Sequence, residues 1–467
     1  MNAINQQPAR IDEIRTLDAD HHLHPFTDTQ ALNARGARVI EHAEGVYLWD
    51  SEGNKILDGM AGLWCVNLGY GRRELTEAAS RQMNQLPYYN TFFQTTTRPA
   101  VRLAHELASL TPGDLNHIFF ANSGSEAIDT VIRMVRRYWE IVGKPWRKIL
   151  ISRTNAYHGS TIGGTSLGGM SAMHNQGGPM LPGIEHIRQP YWYGEGYDQS
   201  EEAFALTCAK ALEEKILQVG PDNVAAFVGE PIQGAGGVIV PPSGYWEEIQ
   251  KICRKYDILL VADEVICGFG RTGNWFGSQT LGIEPDMMSM AKGLSSGYLP
   301  ISAVAVGERV ASALIEDGGE FFHGFTYSGH PVAAAVALEN IRIMREEQIV
   351  ERVGQDTGPY FQQQLRERLG PHPLIGHIEG VGLVAGMALV QDKANHRLFD
   401  PEFDVGTICR NHCFDNNLIM RACGNRMVLS PPLVISREEI DELIDKALRC
   451  LDLTAVSLKQ MGIQLGD

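Results

Sequence analysis

Two apolar runs decide the fold of this chain: Ile258-Leu-Leu-Val-Ala-Asp263-Glu264 and Met287-Met-Ser-Met-Ala-Lys292-Gly293. Neither run alternates apolar with polar residues, which is typical of parallel strands that are buried on both faces. Each run ends close to a charged residue, and ligands of α/β proteins bind at the carboxyl edge of the sheet. Asp263 and Lys292 are therefore candidate site residues.

The chemistry of these two side chains indicates a cofactor. A buried lysine is driven toward its neutral amine and can form a Schiff base. A buried aspartate can pair with a pyridinium nitrogen. Together Lys292 and Asp263 indicate pyridoxal 5'-phosphate (PLP). On these two residues alone the alternative, a solvated lysine and an aspartate that caps a helix, stays open.

Strands alternate with helices from about residue 75 to residue 335, which predicts an α/β domain with a mostly parallel sheet and helices on both faces. The other predicted strands are Ile118–Phe120, Lys148–Ser152, Ala225–Val228 and Ser302–Val306. After residue 335 the pattern changes. A long helix from Pro331 to about Glu347 leads into a smaller α+β region that ends in a helix from about Arg437 to Leu453.

The N-terminal part contains a hairpin signature, with Val46–Asp50 and Lys55–Asp58 on either side of Ser51-Glu-Gly-Asn54. We expect this hairpin to join the C-terminal region in a discontinuous small domain, and residues 1–40 to be loosely structured. The predicted domains are residues 1–74 (N-terminal segment and part of the small domain), 75–335 (large cofactor-binding domain) and 336–467 (C-terminal small domain).

A phosphate site is predicted where Ile118-Phe-Phe-Ala-Asn-Ser-Gly-Ser125 runs into an amphipathic helix that begins near Glu126. Ser123, Gly124 and Ser125 then occupy a strand-to-helix turn, where free N–H groups and the helix dipole attract an anion. Gly124 lets the backbone come close to the ligand. The alternative is that the serines only cap the helix.

The composition and net charge of the chain limit the partners and the cellular compartment that can be expected. The chain has 467 residues and a formal net charge of −16, which argues against nucleic acid or an anionic membrane as a partner. The N-terminus lacks a basic region followed by an apolar one, so we expect no signal peptide. Eight scattered cysteines indicate reduced thiols and a cytoplasmic protein.

Three motifs point to other chemistry, and we reject each of them. Gly268-Phe-Gly270-Arg-Thr-Gly273 matches a dinucleotide fingerprint but does not open a convincing helix or a βαβ unit. Cys409-Arg-Asn-His412-Cys413 lacks a second ligand pair at zinc-site spacing. For His21, His22 and His24 we expect a surface or subunit-contact role, so no metal is predicted.

Several motifs together resemble the class III (ω-) aminotransferases of PLP fold type I. The matching stretches are Asn122–Ala127, Tyr157–Gly159, Gly229–Gln233, Ala262–Gly273, Ala291–Gly293 and His323–Pro331. Three more resemble the amine:pyruvate subgroup: His21–Pro25, Met60–Trp64 and Leu418–Gly424. The resemblance spans about residues 20 to 455. It implies a large domain with a mostly parallel seven-stranded sheet and a smaller discontinuous α+β domain.

The resemblance also implies a role for individual residues in cofactor binding. Lys292 forms the Schiff base and shuttles the proton, and Asp263 pairs with the pyridine nitrogen. Ser123, Gly124 and Ser125 hold the phosphate, and Thr326 reaches the phosphate that is bound to the other subunit. The remaining cofactor-binding residues are expected to be Tyr157 and Val265 on the two ring faces, with His158 and Glu230 in support.

A substrate pocket is expected from the same resemblance. Arg421 would swing in to pair with the acceptor carboxylate, which lets one site accept both a carboxylate-free amine and a keto acid. Trp64, Tyr89, Phe92 and Tyr157 are expected to line the pocket, and Tyr89 and Phe92 could instead form the dimer contact. For Trp64 and Tyr157 the alternative is an ordinary core position, and for Arg421 a surface position.

The predicted function is transfer of an amino group from a primary amine (a diamine, an ω-amino acid or an arylalkyl amine) to pyruvate. The products are an aldehyde or ketone and alanine, by a ping-pong mechanism. An aminomutase or a decarboxylating aminotransferase of the same class is the alternative. The expected partners are the two small substrates and a second subunit in a homodimer with shared active sites, with a tetramer as a further possibility.

Overall fold

The computed structural model describes residues 11–466, so the expected absence of a signal peptide in residues 1–7 lies outside the described residues. Its strands are β1 Ile40–Glu44, β2 Tyr47–Asp50, β3 Lys55–Asp58, β4 His117–Ala121, β5 Ile149–Arg153, β6 Ile184–Ile187, β7 Val224–Gly229, β8 Leu259–Asp263, β9 Met287–Met290, β10 Ser302–Val306, β11 Ile375–Val381, β12 Val384–Asp392, β13 Arg397–Leu398, β14 Leu418–Ile419, β15 Arg421–Cys423 and β16 Arg426–Leu429.

Its helices are α1 Ile11–His21, α2 Thr29–Arg35, α3 Ala61–Trp64, α4 Arg73–Gln85, α5 Arg98–Leu110, α6 Gly124–Ile141, α7 Ile162–Leu167, α8 Ser171–His174, α9 Trp192–Glu195, α10 Glu201–Val219, α11 Tyr245–Lys255, α12 Gly277–Leu281, α13 Glu308–Glu316, α14 Pro331–Glu346, α15 Ile349–Arg352, α16 Gly358–Gln364, α17 Val405–Asp415 and α18 Arg437–Gln460. Within the described residues, no helix combines the length and apolarity that a membrane crossing needs.

The central sheet has seven strands in the order β4-β10-β9-β8-β7-β5-β6. Strands β9, β8, β7, β5 and β6 run parallel, and β10 is antiparallel to both of its neighbours. This confirms the predicted α/β fold with a mostly parallel sheet. The sequence pattern did not single out β6, because its short sequence Ile-Glu-His-Ile lies at the edge and is only half apolar.

Burial on both faces explains why the central strands are apolar throughout. Every residue of β7, β8 and β9 is buried. On one face Ala226 and Val261 pack with the buried side of α6, and on the other Phe227 and Leu260 pack with α10 and α11. The alternation of side chains along each strand sends neighbouring residues to opposite helical layers.

The N-terminal hairpin contacts the C-terminal region through strand pairing. β2 and β3 form the predicted hairpin, and β3 pairs in parallel with β14, with Asp58 opposite Ile419. A further sheet has the order β11-β12-β16-β15. The domain boundaries at residues 74 and 335 stay predictions. Residues 11–40 contain α1 and α2, so the expectation of loose structure was wrong there, and α18 extends beyond the predicted end at Leu453.

Arg271, inside the rejected dinucleotide motif, joins three parts of the chain. Its buried guanidinium donates to the carbonyl oxygens of Leu383 and Pro431 and to the side-chain oxygen of Asn67. Burial lowers the pKa of Arg271 to about 9. The glycine-rich loop therefore has a structural role. Its one arginine donates hydrogen bonds to buried acceptors of segments that are far apart in sequence.

We expect Arg271→Leu to destabilise the protein by about 2–5 kcal/mol, since it leaves buried acceptors unsatisfied. Arg437→Leu is the matched control, because that arginine is exposed and forms a surface pair with Asp356, and its loss should change stability by less than about 1 kcal/mol. The measurement is the midpoint of urea or thermal unfolding of both variants. Equal midpoints would show that the Arg271 contacts do not hold the three segments together.

Candidate active site

Asp263 and Lys292 meet at the carboxyl edge of the sheet, as the sequence predicted. Asp263 is the last residue of β8, and Lys292 follows the neighbouring strand β9 by two residues. Both line one cavity of about 570 Å³. Lys292 has a φ of 47°, in the left-handed region that is strained for a residue with a side chain. The strained backbone at this position is a mark of a functional site.

The Asp263 carboxylate is held by groups from three parts of the chain. Its Oδ2 accepts a hydrogen bond of 2.7 Å from Nδ1 of His158. Its Oδ1 accepts bonds from the hydroxyl of Ser289 at 3.0 Å and from the backbone N–H of Val265 at 3.1 Å. His158 is oriented in turn by Ser152, at 3.1 Å from Nε2. The carboxylate therefore presents a fixed acceptor to the cavity.

The Lys292 amine faces the cavity without a hydrogen-bond or ion-pair partner among residues 11–466. Desolvation lowers its pKa, and the nearby charges of Asp263 and Glu230 oppose that shift. Its Nζ lies 5.7 Å from the ring centroid of Trp64. A lysine in such surroundings holds a larger fraction of neutral, nucleophilic amine than a solvated lysine does.

The predicted phosphate turn lies at the start of α6. The Ser123 side chain caps the helix by accepting from the N–H of Glu126. The N–H groups of Gly124 and Ser125 have no acceptor among residues 11–466, and both residues line the cavity. Unpaired N–H groups at the N-terminus of a long helix form an anion site. Ser123 thus caps the helix, whereas the next two residues line the cavity, and the predicted contact of Ser123 with a phosphate stays a prediction.

Two glycines permit the close packing of this turn. A Cβ atom at Gly124 would lie 3.1 Å from the Val265 side chain. A Cβ atom at Gly159 would lie 2.6 Å from the Ser125 hydroxyl oxygen, and Gly159 has a φ of 124°. The same hydroxyl accepts a bond from the N–H of Ser160. The loop after Tyr157 thus packs directly onto the phosphate turn.

Glu230 and Tyr157 form the remaining wall near Asp263. The buried Glu230 carboxylate accepts from the N–H groups of Gly234 at 2.9 Å and Tyr157 at 3.3 Å. Burial raises the pKa of Glu230. The ring of Tyr157 packs edge-on against Phe26, with centroids 6.4 Å apart. Glu230 therefore fixes the backbone that carries the Tyr157 ring, and its predicted role beside the cofactor stays a prediction.

Trp64 and Arg421 form the outer wall of the cavity. The Arg421 guanidinium carbon lies 4.9 Å from the Trp64 ring centroid. Arg421 has no acidic partner within residues 11–466, so its charge is available to a ligand in the cavity. Tyr157, Val265 and His158 also line the cavity, in agreement with the predicted site.

Several cavity residues were not singled out from the sequence. They are Pro25, Phe26, Leu63, Met170, Ala235, Ile266, Arg410 and Ala422. Most are apolar residues without a distinctive spacing, so no local signal marks them. Ser289 does not line the cavity but donates to Asp263. It is the one polar residue within the apolar strand β9, and that contrast was a signal for its contact with Asp263.

Thr326, Tyr89 and Phe92 do not line this cavity and are exposed in the single chain. They lie on one surface, because the Tyr88 hydroxyl donates to the carbonyl oxygen of Thr326 and the Phe92 ring packs close to Gly324. Their roles at the cofactor, pocket or dimer contact stay predictions.

The N-terminal histidines form a small polar cluster. Asp18 Oδ1 lies 3.0 Å from Nδ1 of His22 and 2.9 Å from Nε2 of His24. Two imidazoles and a carboxylate within 4.8 Å of one another could hold a metal ion. Hydrogen bonds among the three side chains account for the same distances.

Comparison with known proteins places this geometry in a family. The profile described as aminotransferase class-III matches residues 30–451. A putrescine–pyruvate aminotransferase of Pseudomonas aeruginosa is 60% identical over 450 residues, which is 96% of this chain and 98% of that protein.

Solved structures agree with the sequence match. An omega transaminase from Pseudomonas jessenii in complex with PMP has a TM-score of 0.93 and 42% identity, and covers 96% of this chain and 99% of its own. An (S)-enantioselective omega-transaminase from Thermomicrobium roseum has a TM-score of 0.93 and 43% identity, with 96% and 100% covered. The chain therefore belongs to the class III aminotransferases, the PLP-dependent enzymes of fold type I.

Proposed function

We propose that this protein transfers the amino group of a primary amine to pyruvate by a ping-pong mechanism. The observation that carries the proposal is the free amine of Lys292, which shares a cavity with the fixed carboxylate of Asp263 and the unpaired N–H groups of Gly124 and Ser125. The similarity to the putrescine–pyruvate aminotransferase supports a diamine as donor and pyruvate as acceptor.

The cavity residues fit PLP group by group. Gly124 and Ser125 offer N–H groups to the phosphate, and Asp263 offers a carboxylate oxygen to the ring nitrogen. Lys292 offers an amine to the aldehyde carbon, and Tyr157 and Val265 offer the two ring faces. When bound, PLP accepts the electron pair that the substrate releases as its C–H bond breaks.

Lys292 and Asp263 divide the work of the reaction. The neutral Nζ of Lys292 accepts the proton from the carbon that bears the amino group of the donor, and returns it at the second reacting carbon. The negative charge of Asp263 would favour a protonated ring nitrogen in a bound cofactor. His158, Ser289 and the Val265 N–H keep that carboxylate in place throughout, so no reorganisation is needed during the reaction.

The outer wall accounts for two unlike substrates. Phe26, Leu63 and Trp64 offer an apolar surface to the carbon chain of an amine. Arg421 offers the positive charge that a keto acid carboxylate requires. Because Arg421 lies over Trp64 without an acidic partner, it can turn toward an acceptor without breaking an ion pair.

We further propose a homodimer in which each subunit completes the site of the other. The exposed surface with Thr326, Tyr89 and Phe92 supports the proposal, because exposed aromatic residues in a cluster are typical of interfaces. Thr326 would then reach the phosphate of the partner's cofactor. The proposed compartment is the cytoplasm, in keeping with eight cysteines that are all free thiols.

The covalent role of Lys292 tests the proposed function. Lys292→Ala should still bind PLP through its phosphate and ring nitrogen, but turnover with amine and pyruvate should be negligible. Mass spectrometry after borohydride reduction of the wild-type protein should find the cofactor on the peptide that contains Lys292. The matched control is Lys251→Ala, on an exposed face of α11, and it should retain full activity. A cofactor label on another lysine would refute the assignment.

Asp263→Asn should slow the half-reaction with the amine by about 10²-fold or more, because the ring nitrogen loses its charged partner. Stopped-flow spectroscopy of cofactor amination measures this rate. Asp286→Asn serves as the control, since it makes the same change just before β9, at the opposite edge of the sheet. A variant that aminates its cofactor at nearly the wild-type rate would contradict the role of Asp263.

Arg421→Ala should damage the two half-reactions unequally. Loss of a charge-assisted pair with the keto acid costs about 1.5–3 kcal/mol, which is roughly 10- to 150-fold in the reaction with pyruvate or alanine. A carboxylate-free arylalkyl amine should keep most of its rate, and Arg421→Lys should restore part of the pyruvate rate. Single-turnover kinetics on each half-reaction provide the measurement. Equal losses for both substrate types would mean that Arg421 does not read the carboxylate.

A further inference from the structure

The part of the cavity wall that carries Leu63 and Trp64 is built on a strained turn. The φ angles of Ala61, Gly62 and Trp64 are 48°, 68° and 58°, all in the left-handed region. Alanine and tryptophan rarely adopt this region, and such a backbone persists only where the surroundings hold it. The position of the wall therefore depends on whatever fixes this turn.

The Asp58 carboxylate is the group that fixes the turn. Its Oδ1 accepts from the N–H of Met60 at 2.9 Å. Its Oδ2 accepts from the N–H of Gly62 at 2.6 Å and from the hydroxyl of Tyr70 at 2.7 Å. Asp58 is 1% exposed, and no lysine or arginine forms an ion pair with it among residues 11–466. Its carboxylate instead accepts hydrogen bonds from three donors, two of which are backbone N–H groups of the turn.

The same aspartate also lies beside the strand that leads to Arg421. Asp58 is the last residue of β3 and stands opposite Ile419 of β14, two residues before Arg421. The contact is close, because a Cβ atom at Gly59 would lie 2.5 Å from the carbonyl oxygen of Ile419. Trp64 follows β3 and Arg421 follows β14, so the same pair of strands positions both residues. The guanidinium carbon of Arg421 lies 4.9 Å from the centroid of the Trp64 ring.

We propose that Asp58 is a positioning residue for substrate specificity. Its carboxylate holds Leu63 and Trp64 where they contact an amine donor with an apolar or aromatic chain, and it holds the Trp64 ring beneath the Arg421 guanidinium. Asp58 itself is not among the residues that line the cavity. The inference rests on the proposed function, because it assigns the selection of the amine to this wall.

A change of Asp58 to asparagine should disturb the turn with almost no change in volume. A carboxylate only accepts hydrogen bonds, whereas an asparagine amide offers one accepting oxygen and one donating NH₂ group. In either orientation the NH₂ group would oppose the N–H of Met60 or of Gly62. One backbone donor of the turn then loses its partner, so the strained conformation is no longer favoured and Trp64 shifts.

The experiment compares Asp58→Asn with Asp50→Asn in the holoenzyme. Asp50 is a buried carboxylate of the same hairpin that accepts from the N–H groups of Glu52 and Asn54, far from the cavity wall. The substrates are pyruvate and 1-phenylethylamine, and the product alanine is measured. For Asp58→Asn we expect the KM of the amine to rise about tenfold, with kcat within about threefold and unchanged cofactor content. For Asp50→Asn the KM should stay within about twofold of wild type.

Three outcomes would overturn the inference. Equal KM values for the Asp58 and Asp50 variants would show that the carboxylate does not position the wall. A fall in the kcat of Asp58→Asn that matches a fall in its bound cofactor would show that Asp58 supports the fold or the cofactor site instead. If Asp58→Asn does not fold, Tyr70→Phe decides, since it removes one of the three donors; we expect its KM to rise about threefold, and an unchanged KM would count against the proposal. A wild-type protein that forms no alanine from pyruvate with either 1-phenylethylamine or a diamine such as putrescine would refute the proposed function itself.

Discussion

The active site depends on one buried carboxylate, that of Asp263, and on the groups that hold it. Desolvating a carboxylate is costly unless it is well hydrogen-bonded. Here the donors come from β9, from the loop after β5 and from Val265, the second residue after β8. The carboxylate therefore joins three parts of the chain at the carboxyl edge of the sheet, and the cavity that contains Lys292 has its floor at this point.

Backbone strain is concentrated around the same cavity. Lys292 and Trp64 both have left-handed backbones, and Gly159 has a positive φ where a side chain would collide with Ser125. The Asp58 carboxylate holds the turn that carries Trp64, and Gly159 packs closely against Ser125. A rigid, preorganised site avoids reorganisation when charge develops, and the strain is the energetic consequence of that rigidity.

The outer wall of the cavity, formed by Trp64 and Arg421, is held by different contacts from the floor at Asp263. Trp64 and Arg421 are carried by the pairing of β3 with β14, which joins residues that are more than half of the chain apart in sequence. The floor is held by the large sheet, whereas the wall is held by the N-terminal hairpin and the C-terminal region.

The sequence by itself determined those features that depend on residues close together in the chain. The continuous apolar runs at β8 and β9 predict buried parallel strands, and Gly124 and Ser125 at the start of α6 predict an anion site, since both features depend on neighbours in the chain. The resemblance carried by longer motifs added predicted roles for Glu230, Tyr157 and Arg421, and the structure places all three at the cavity. The edge strand β6 and helices α1 and α2 were missed, because short half-apolar segments carry no distinctive periodicity.

Only the tertiary structure decided that Ser289 and His158 hold Asp263, that Phe26 and Met170 line the cavity, and that Asp58 supports Trp64. These contacts join residues far apart along the chain, and burial and hydrogen-bond geometry between distant segments are not encoded in the spacing of either segment alone.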